Sequence, residues 1–509
     1  MSIPADAYTR RPFATREMIL RELRKDGASY YFAVDPGTQR WLIVEPVAAA
    51  LLQRADGVTR LSRILRDLSR SREGSARDVS DLVALCDELL ERGLLFRSEE
   101  EHRRLRRPVY NASEVVGLHL EITNACNMTC AHCYVASGEP LPFEMSMDEL
   151  RAAVDLLPPF SGKRIAISGG EPVVRRGCMD LVEYCALERG HDVDLYTNGW
   201  KFPRKFALRV LEVNRCGRGR VRIQMSLEGA TARTHDMVRG EGAFEEALES
   251  LRMFREVGLS RDCVVFVCAS KHNIHEVDDL IELCEEFDVQ MLVFSQWQRQ
   301  GNASDTPWSE IGPDTDAWVE AGEKILEYDG PRLQVHGNFF GDLRNDGEGR
   351  FSLDEPLFPK HVYFYNAFPR VTPQGDILAD QLWVDPDWVL GNVRDGDTFE
   401  TCFTSSEFFG QLQRMRERTE HIPACRACTW RRLCEGGSAG HTYAEYGHMR
   451  ERDVFCESRI RWFERYVEHW AGVILGDDVE VVDDGRAPAD RMGDEGAGRR
   501  RELAVLRSG

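Results

Sequence analysis

Three cysteines share an eleven-residue stretch of the chain, NACNMTCAHCY (124–134), at Cys126, Cys130 and Cys133. The spacing C-x3-C-x2-C supplies three thiols, whereas structural zinc sites usually have four ligands that come as two spaced pairs. His132 lies between two of the cysteines, where it would strain to bind the same ion. Three thiolates instead suit a [4Fe–4S] cube, because they ligate three irons and leave the fourth iron open to a small molecule. The stretch therefore predicts a cluster that a substrate or cofactor completes.

Four further cysteines, nearer the carboxyl end, supply enough thiols to close a metal site without help. CRACTWRRLC places Cys425, Cys428 and Cys434, and DVFCE adds Cys456. Such a set ligates a [4Fe–4S] cluster with no open iron, and it equally suits a structural zinc ion. The spacing alone leaves both alternatives open.

The first cysteine loop follows an apolar strand, VGLHLEIT, that opens a regular alternation of strands and helices from about residue 115. Alternating βα units with apolar strands predict a parallel sheet with helices outside, here an α/β fold of the partial (β/α)6 TIM-like barrel type. Function in such barrels lies at the carboxyl ends of the strands. Glycine-containing segments follow the next three strands there: SGGEP (168–172), YTNG (196–199), and MSLEG (225–229) with THDMVRGEGAF (234–244).

This ordered series resembles the radical SAM enzymes over about residues 115–300. The resemblance implies that S-adenosylmethionine (SAM) closes the fourth iron, with His132 at the usual aromatic position of the cysteine motif. It also implies that the Gly-Gly-Glu-Pro segment holds the SAM amino group, which Glu171 can pair with, that Ser226 contacts the ribose or carboxylate, and that Arg239 contacts the carboxylate. Glu228 stands where the family more commonly has Asp. The implied cofactor-binding residues are Tyr134, Gly169, Gly170, Glu171, Pro172, Thr197, Asn198, Ser226 and Arg239, and the implied catalytic residues are Cys126, Cys130 and Cys133.

The carboxyl-terminal region, residues 361–475, resembles the SPASM extension of peptide-modifying radical SAM enzymes. FPRVTPQGDILAD and LGNV look like its hairpin and following segment, but Asp380 and Ser438 occupy positions where that extension has cysteines. The ligands of the inner auxiliary cluster are thus mostly missing, and the outer set is whole. The resemblance implies one auxiliary [4Fe–4S] cluster at Cys425, Cys428, Cys434 and Cys456, and it leaves Asp380 as an unused polar residue, a substrate contact or a catalytic acid–base.

The first 105 residues predict a compact ββααα unit, with two strands between residues 27 and 45, three helices, and the short return segment LLF. The unit resembles the PqqD-like winged-helix fold, which recognises precursor peptides by adding the leader peptide as a strand to a sheet edge. A purely structural cap is the alternative interpretation. A DNA-reading winged helix is disfavoured because the chain is acidic.

Composition narrows the class of protein. The 509 residues carry a formal net charge of −20, which argues against a nucleic-acid surface, and no apolar run is long enough to span a membrane. Fifteen cysteines fit a reducing cytoplasm, where clustered thiols bind metals. We expect a radical SAM core at 112–300, a bridging segment at 301–360, and a disordered acidic tail at 476–509.

The resemblances together imply a maturase that cleaves SAM reductively and uses the 5′-deoxyadenosyl radical to modify a ribosomally made precursor peptide. Its product would be a crosslink, a thioether, an epimer or a decarboxylated end. The partners implied are that peptide and a low-potential electron donor such as ferredoxin or flavodoxin. The alternative is a radical SAM enzyme that acts on a small molecule such as a haem or tetrapyrrole side chain.

Overall fold

The structure is a computed structural model that describes residues 5–38, 40–73, 78–105, 115–337, 368–381 and 383–482. Its first part is an antiparallel three-stranded sheet followed by helices. The elements are β1 Ile19–Lys25, β2 Ala28–Val34, β3 Trp41–Val44, α1 Pro46–Arg54, α2 Leu61–Ser69, α3 Val79–Glu91 and α4 Glu99–Leu105.

Strand β1 is absent from the predicted ββααα order, and its charged residues explain the omission. In the sequence ILRELRK only alternate positions face the core, and one of the arginines, Arg21, is itself buried beside Glu464 at 2.8 Å. An ion pair with a residue more than four hundred positions away replaces the solvent that an arginine normally needs. The local sequence pattern therefore does not predict β1, because tertiary contacts stabilise this strand.

The middle of the chain alternates strands and helices, as predicted. The strands are β4 Gly117–Thr123, β5 Arg164–Gly169, β6 Asp192–Thr197, β7 Val221–Ser226, β8 Cys263–Ala269, β9 Met291–Gln296 and β10 Gln334–Gly337. The helices are α5 Met147–Asp155, α6 Cys178–Glu183, α7 Arg204–Cys216, α8 Ala232–Arg239, α9 Ala243–Val257, α10 Val277–Glu286, α11 Trp308–Ile311 and α12 Thr315–Glu327. A short π-helical turn, Tyr184–Glu188, continues α6.

The carboxyl-terminal region adds short strands and six helices. They are β11 Arg370–Val371, β12 Asp376–Leu378, β13 Gly391–Asn392, α13 Phe399–Phe403, α14 Ser406–His421, α15 Pro423–Ala427, α16 Arg431–Cys434, α17 Ala439–Tyr446, α18 Cys456–Leu475 and β14 Glu480–Val481.

One ten-stranded sheet forms the centre, in the order β10-β9-β8-β7-β6-β5-β4-β11-β12-β13. Strands β4 to β10 are parallel to one another and β11 is parallel to β4, whereas β12 is antiparallel to both β11 and β13. The predicted α/β class with a large, mostly parallel sheet is confirmed. One detail differs, because residues 301–360, predicted as a bridge, contribute β10 as a further parallel strand; residues 338–360 lie outside the described part.

The front sheet is covered on both faces. Ala33 and Val44 pack with helices α1 to α3, whereas Phe32 and Trp41 join the main core. On that second face Trp41 Nε1 donates a hydrogen bond to Tyr466 Oη of α18 at 3.0 Å. The first part of the chain is therefore packed tightly on the carboxyl-terminal helix.

Part of residues 476–509, which were expected to be a disordered tail, forms a strand. Glu480 and Val481 form β14, which pairs antiparallel with Arg24 and Leu23 of β1. Residues 483–509 lie outside the described part of the chain. No helix among the described residues is both long enough and apolar enough to cross a membrane.

Candidate active site

A cavity of about 490 Å³ opens at the carboxyl ends of the parallel strands, where the fold places ligands. The resemblance implies that twelve residues hold the first cluster or SAM, and ten of the twelve line this cavity. They are Cys126, Cys130, Cys133, Tyr134, Gly169, Gly170, Thr197, Asn198, Ser226 and Arg239. The other lining residues are His119, Met128, His132, Ser137, Ser168, Tyr196, Phe266, Cys268, Ser295, Gln296, Trp297, Gln298 and Gln381.

The cysteine loop between β4 and α5 is fixed mainly by backbone hydrogen bonds. Cys126 N–H donates to Gly138 C=O at 2.8 Å, so the two ends of the loop are joined. Asn302 holds the other cysteines, because its side chain donates to the Cys130 carbonyl at 2.8 Å and its N–H to the Cys133 carbonyl at 2.9 Å. Asn302 lies in the predicted bridge, and no local signal in the sequence identifies it.

The three thiols fit an iron–sulfur cube better than a zinc ion. Around one zinc ion, with Zn–S near 2.3 Å, tetrahedral geometry holds sulfurs roughly 3.8 Å apart. Within the described residues the three sulfurs do not all lie within 4.8 Å of one another. Burial raises the pKa of Cys126 to about 11, and the nearby Glu171, Cys130 and Cys133 also raise it. These thiols therefore ionise when a metal cluster replaces their protons.

Gly169 and Gly170 allow the loop after β5 to touch the cysteine loop. A Cβ atom at Gly170 would lie 2.2 Å from the Ala125 carbonyl oxygen, and one at Gly169 would lie 2.2 Å from that of Thr123. Gly169 also has φ of +130°, a conformation that glycine adopts freely. Both positions therefore require glycine, which explains why the motif is Gly-Gly.

Glu171 is held by hydrogen bonds from the loops after β5 and β6. Its carboxylate is buried outside the cavity lining and accepts hydrogen bonds from Thr197 Oγ1, Asn198 N–H and Val173 N–H at 3.0, 2.7 and 3.1 Å. Burial raises the pKa of Glu171 to about 7, although these donors act in the opposite direction. Glu171 therefore joins the loops after β5 and β6 and does not face the cavity, and the neighbouring Pro172 is likewise buried outside the lining.

The loop after β6 contributes directly to the cavity. Asn198 lines the cavity. Its side-chain nitrogen Nδ2 donates a hydrogen bond to Asn127 Oδ1 at 2.8 Å and lies 3.9 Å from Cys126 Sγ. Thr197 also lines the cavity. These residues connect the strand-end segment to the first cysteine.

Glu228 and Arg239 form a buried ion pair beside the second cysteine. Arg239 Nε and Nη2 donate to Glu228 Oε1 at 3.0 and 2.6 Å, and Arg239 Nη1 lies 3.9 Å from Cys130 Sγ. Burial acts to raise the pKa of Glu228, but His132, at 3.1 Å, and Arg239 hold it well below the usual range. Glu228, whose side chain is one methylene longer than that of the Asp more common in the family, thus neutralises the charge of Arg239. His132, Glu228 and Cys268 are near enough to share a metal ion, but the guanidinium already occupies that carboxylate.

A second buried network lies at the β4 side of the cavity. Arg370 of β11 donates two hydrogen bonds to Glu121 of β4, and Tyr134 Oη donates to the same carboxylate at 3.0 Å. Asp380 is buried near Arg370, whose pKa it helps to raise against the effect of burial. His119 lines the cavity, and burial lowers its pKa to about 4, so it is neutral at pH 7. Sequence reasoning found neither Glu121 nor Arg370.

The second cysteine set lies on α15, α16 and the start of α18. Burial raises the pKa of Cys425, Cys428 and Cys456, and neighbouring thiols of the set raise it further. The buried Arg459 lies 3.9 Å from Cys434 Sγ and pairs with the buried Asp453 at 3.2 Å. Ser438 is occupied elsewhere, because its hydroxyl accepts a hydrogen bond from the N–H of His441 and caps α17.

Comparison with known proteins identifies the class to which this fold and site belong. Residues 120–284 match the radical SAM superfamily. The AdoMet-dependent heme synthase of Nitratidesulfovibrio vulgaris is 31% identical over 361 residues, which is 67% of this chain and 92% of that protein. The mycofactocin maturase MftC of Mycobacterium ulcerans is 28% identical over 322 residues, which is 62% of this chain and 81% of that protein.

Solved structures share the fold. Streptococcus suis SuiB bound to S-adenosylmethionine aligns with a TM-score of 0.51 and 14% identity, over 87% of this chain and 99% of SuiB, and SuiB bound to its precursor peptide SuiA aligns equally well. The chain belongs to the radical SAM superfamily and is a radical SAM enzyme. Membership implies a [4Fe–4S] cluster and SAM as cofactors.

Proposed function

We propose that this protein is a maturase that modifies a ribosomally made precursor peptide. Cys126, Cys130 and Cys133 would hold a [4Fe–4S] cluster that, together with SAM, would supply the radical chemistry for hydrogen abstraction from an unactivated C–H bond. The chain's own residues bind and orient. Gly169 and Gly170 let the SAM amino group approach the backbone, and Tyr134, Thr197, Asn198 and Ser226 line the remaining wall.

Hydrogen bonds constrain two of the residues implied to contact SAM. Glu171 accepts three of them and thereby positions the loops after β5 and β6. Arg239 has two donors committed to Glu228, which leaves Nη1 for the SAM carboxylate or the cluster. The cavity wall thus presents one guanidinium edge whose charge is already balanced.

We further propose that Cys425, Cys428, Cys434 and Cys456 hold one auxiliary [4Fe–4S] cluster in a SPASM-like domain. No three of these sulfurs, all within the described part of the chain, lie within 4.8 Å of one another, so the set is wider than a zinc site. Arg459, which pairs with Asp453, also places a guanidinium nitrogen 3.9 Å from Cys434 Sγ, where it can donate to a cluster ligand. A low-potential donor such as ferredoxin or flavodoxin supplies electrons, in the cytoplasm where free thiols persist.

The edge of β3 is the observation that carries the choice of a peptide substrate. In the order β14-β1-β2-β3 the last strand has a neighbour on one side only, within the residues described. An edge strand accepts an added peptide strand through its outward N–H and C=O groups. Residues 1–105, with their sheet and helices, therefore supply a PqqD-like recognition domain for a leader peptide.

The names of the similar proteins agree with this proposal. MftC is a maturase, and SuiB has been crystallised with a precursor peptide. The SuiB alignment covers 87% of this chain, well beyond the 165 residues of the superfamily match at 120–284.

Peptide binding at the edge of β3 can be tested by removing one backbone N–H group, that of Ile43. The Asp35 N–H donates to the Arg40 carbonyl, so the register places Ile43 at a position where the backbone groups point away from β2. Ile43→Pro removes that outward donor, and Ile43→Ala removes the same side chain but keeps the donor. With peptides encoded beside the gene as probes, we expect Ile43→Pro to weaken binding at least tenfold relative to Ile43→Ala. Equal affinity of the two variants contradicts leader binding at β3.

A second candidate function has one observation in its favour, the 31% identity to a heme synthase over 92% of that enzyme. Modification of a tetrapyrrole side chain would then be the reaction. Parallel anaerobic incubations with SAM, a reductant and either the peptides or an iron porphyrin with propionate side chains separate the two functions. A mass change in a peptide supports the maturase; decarboxylation of the porphyrin supports the alternative.

A further inference from the structure

A cleft of about 1130 Å³ separates the front unit from the loop that carries the second cysteine set. One wall consists of residues 14–20 before and within β1 and of the α1–α2 region, and the other of residues 426–432. Cys428 is part of that second wall. The cleft is larger than the roughly 300–1,000 Å³ of typical small-molecule pockets, and it is concave. Its shape suits an extended segment better than the flat face of a globular partner.

The cleft is rich in arginine, although the whole chain has a net charge of −20. Its lining contains three carboxylates, Glu17, Asp56 and Asp67, and twice as many guanidinium groups. The arginines are Arg16, Arg54, Arg63, Arg426, Arg431 and Arg432.

Ion pairs neutralise only some of these arginines. Arg432 pairs with Glu17 at 2.9 Å, and Arg431 pairs with Glu420 at 3.2 Å. Arg16 and Arg426, which are exposed, pair with no carboxylate of the described residues. Two exposed arginines without a carboxylate partner among the described residues thus line the cleft, one on the front unit and one on the cysteine loop.

We propose that this cleft binds an acidic segment of the peptide substrate, with Arg16 and Arg426 as its principal contacts. The proposal rests on the proposed maturase function and adds a second contact to the edge of β3. A segment rich in Asp or Glu would connect the front unit to the wall that contains Cys428. Because both arginines are exposed, the attraction is screened by salt and weakens as ionic strength rises.

The test uses the holoenzyme and a fluorescent octaglutamate peptide, with binding followed by anisotropy at low salt. We expect Arg16→Glu combined with Arg426→Glu to weaken binding at least tenfold. The matched control, Arg215→Glu combined with Arg461→Glu, changes the net charge equally at two exposed arginines outside the cleft, and it should change affinity less than threefold. Equal weakening in both double variants, or none in the first, overturns the proposal.

Two further readouts keep the result specific. Uncoupled SAM cleavage should be unchanged in both double variants, which shows that they fold. If the Arg16→Glu, Arg426→Glu variant does not fold, Arg426→Gln replaces it. In a salt series, this single variant should bind octaglutamate more weakly than the native protein, and its affinity should depend less on salt. If the cleft variant binds the acidic peptide normally but is reduced more slowly by flavodoxin, the surface belongs to the electron donor and the proposal is wrong. Octaglutamate binding at the cleft without modification of any peptide would refute the maturase function, and it would then overturn the assignment of the cleft to a peptide substrate while leaving its affinity for acidic segments established.

Discussion

Arg370 Nε and Nη2 donate to the two carboxylate oxygens of Glu121 at 2.9 and 2.8 Å, although the residues are 249 positions apart in the chain. Both side chains are buried. The pair connects the first strand of the radical SAM core to the short strand β11, which brings Asp380 and Gln381 toward the cavity. Tyr134, the residue after the third cysteine, donates to the same carboxylate. The ion pair therefore links the carboxyl-terminal region to the cluster loop.

Removing one partner should be costly. Arg370→Met leaves the Glu121 charge buried without its cation, and such changes destabilise a protein by about 3–5 kcal/mol. The double variant Glu121→Gln with Arg370→Met removes both charges of the pair and should recover most of that loss. Anaerobic urea unfolding of the single and double variants measures both effects. A double variant no more stable than Arg370→Met would show that the pair is not the cause.

The same pair should make stability depend on pH. Burial acts to raise the pKa of Glu121, but Arg370, with smaller contributions from His119 and Tyr134, brings the pKa in the folded protein below its usual range. The stabilisation is therefore complete above the unfolded-state pKa of roughly 4.3 and is lost as pH falls through the folded-state value. As pH is lowered below about 4.3, the unfolding midpoint of the native protein should therefore fall more than that of the uncharged double variant. Parallel profiles would contradict this assignment.

Contact between the two strand-end loops gives a third prediction. In Gly170→Ala the new Cβ meets the Ala125 carbonyl at 2.2 Å, so the cysteine loop must move. Displacements of about 1 Å can lower rates by about 10²-fold. We expect a loss of that order in the yield of 5′-deoxyadenosine, measured by mass spectrometry.

Gly138→Ala is the matched control for this substitution. Gly138 lies in the same loop, and a Cβ there meets nothing within 4 Å. It should retain nearly all SAM cleavage. If both glycine variants behave alike, close packing of the loops is not what requires Gly170.

Metal content tests the auxiliary cluster. Two cubes predict about eight iron atoms per chain. Replacing Cys425, Cys428, Cys434 and Cys456 with Ala should reduce the content to about four while the first cluster remains. Iron and zinc are counted together by inductively coupled plasma mass spectrometry. About four irons with one zinc in the native protein would show that the second set is a zinc site.

The sequence predicted the parts of this molecule that local pattern determines. The apolar strands β4 to β9 were expected nearly where they occur, and the residues at their carboxyl ends, such as Cys126 and Asn198, line one cavity because parallel strands end at one edge of a sheet.

Features that depend on distant partners were not predictable in this way. Strand β1 was missed because Arg21 is charged, and only its pairing with Glu464 permits burial. The motif alone also does not indicate that Glu171 accepts hydrogen bonds from Thr197 and Asn198 at the end of the next strand. Arg370 lies in a short hairpin, and no residue near it in the sequence indicates that its ion-pair partner is Glu121.

The central claim is that Cys126, Cys130 and Cys133 hold a [4Fe–4S] cluster whose fourth iron binds SAM. Electron paramagnetic resonance of the anaerobically reduced protein tests it most directly, preferably in the variant that lacks the second cysteine set. The account predicts that adding SAM changes the g-values of the cluster signal and that Cys126→Ala abolishes both the signal change and SAM cleavage. A spectrum identical with and without SAM would contradict it.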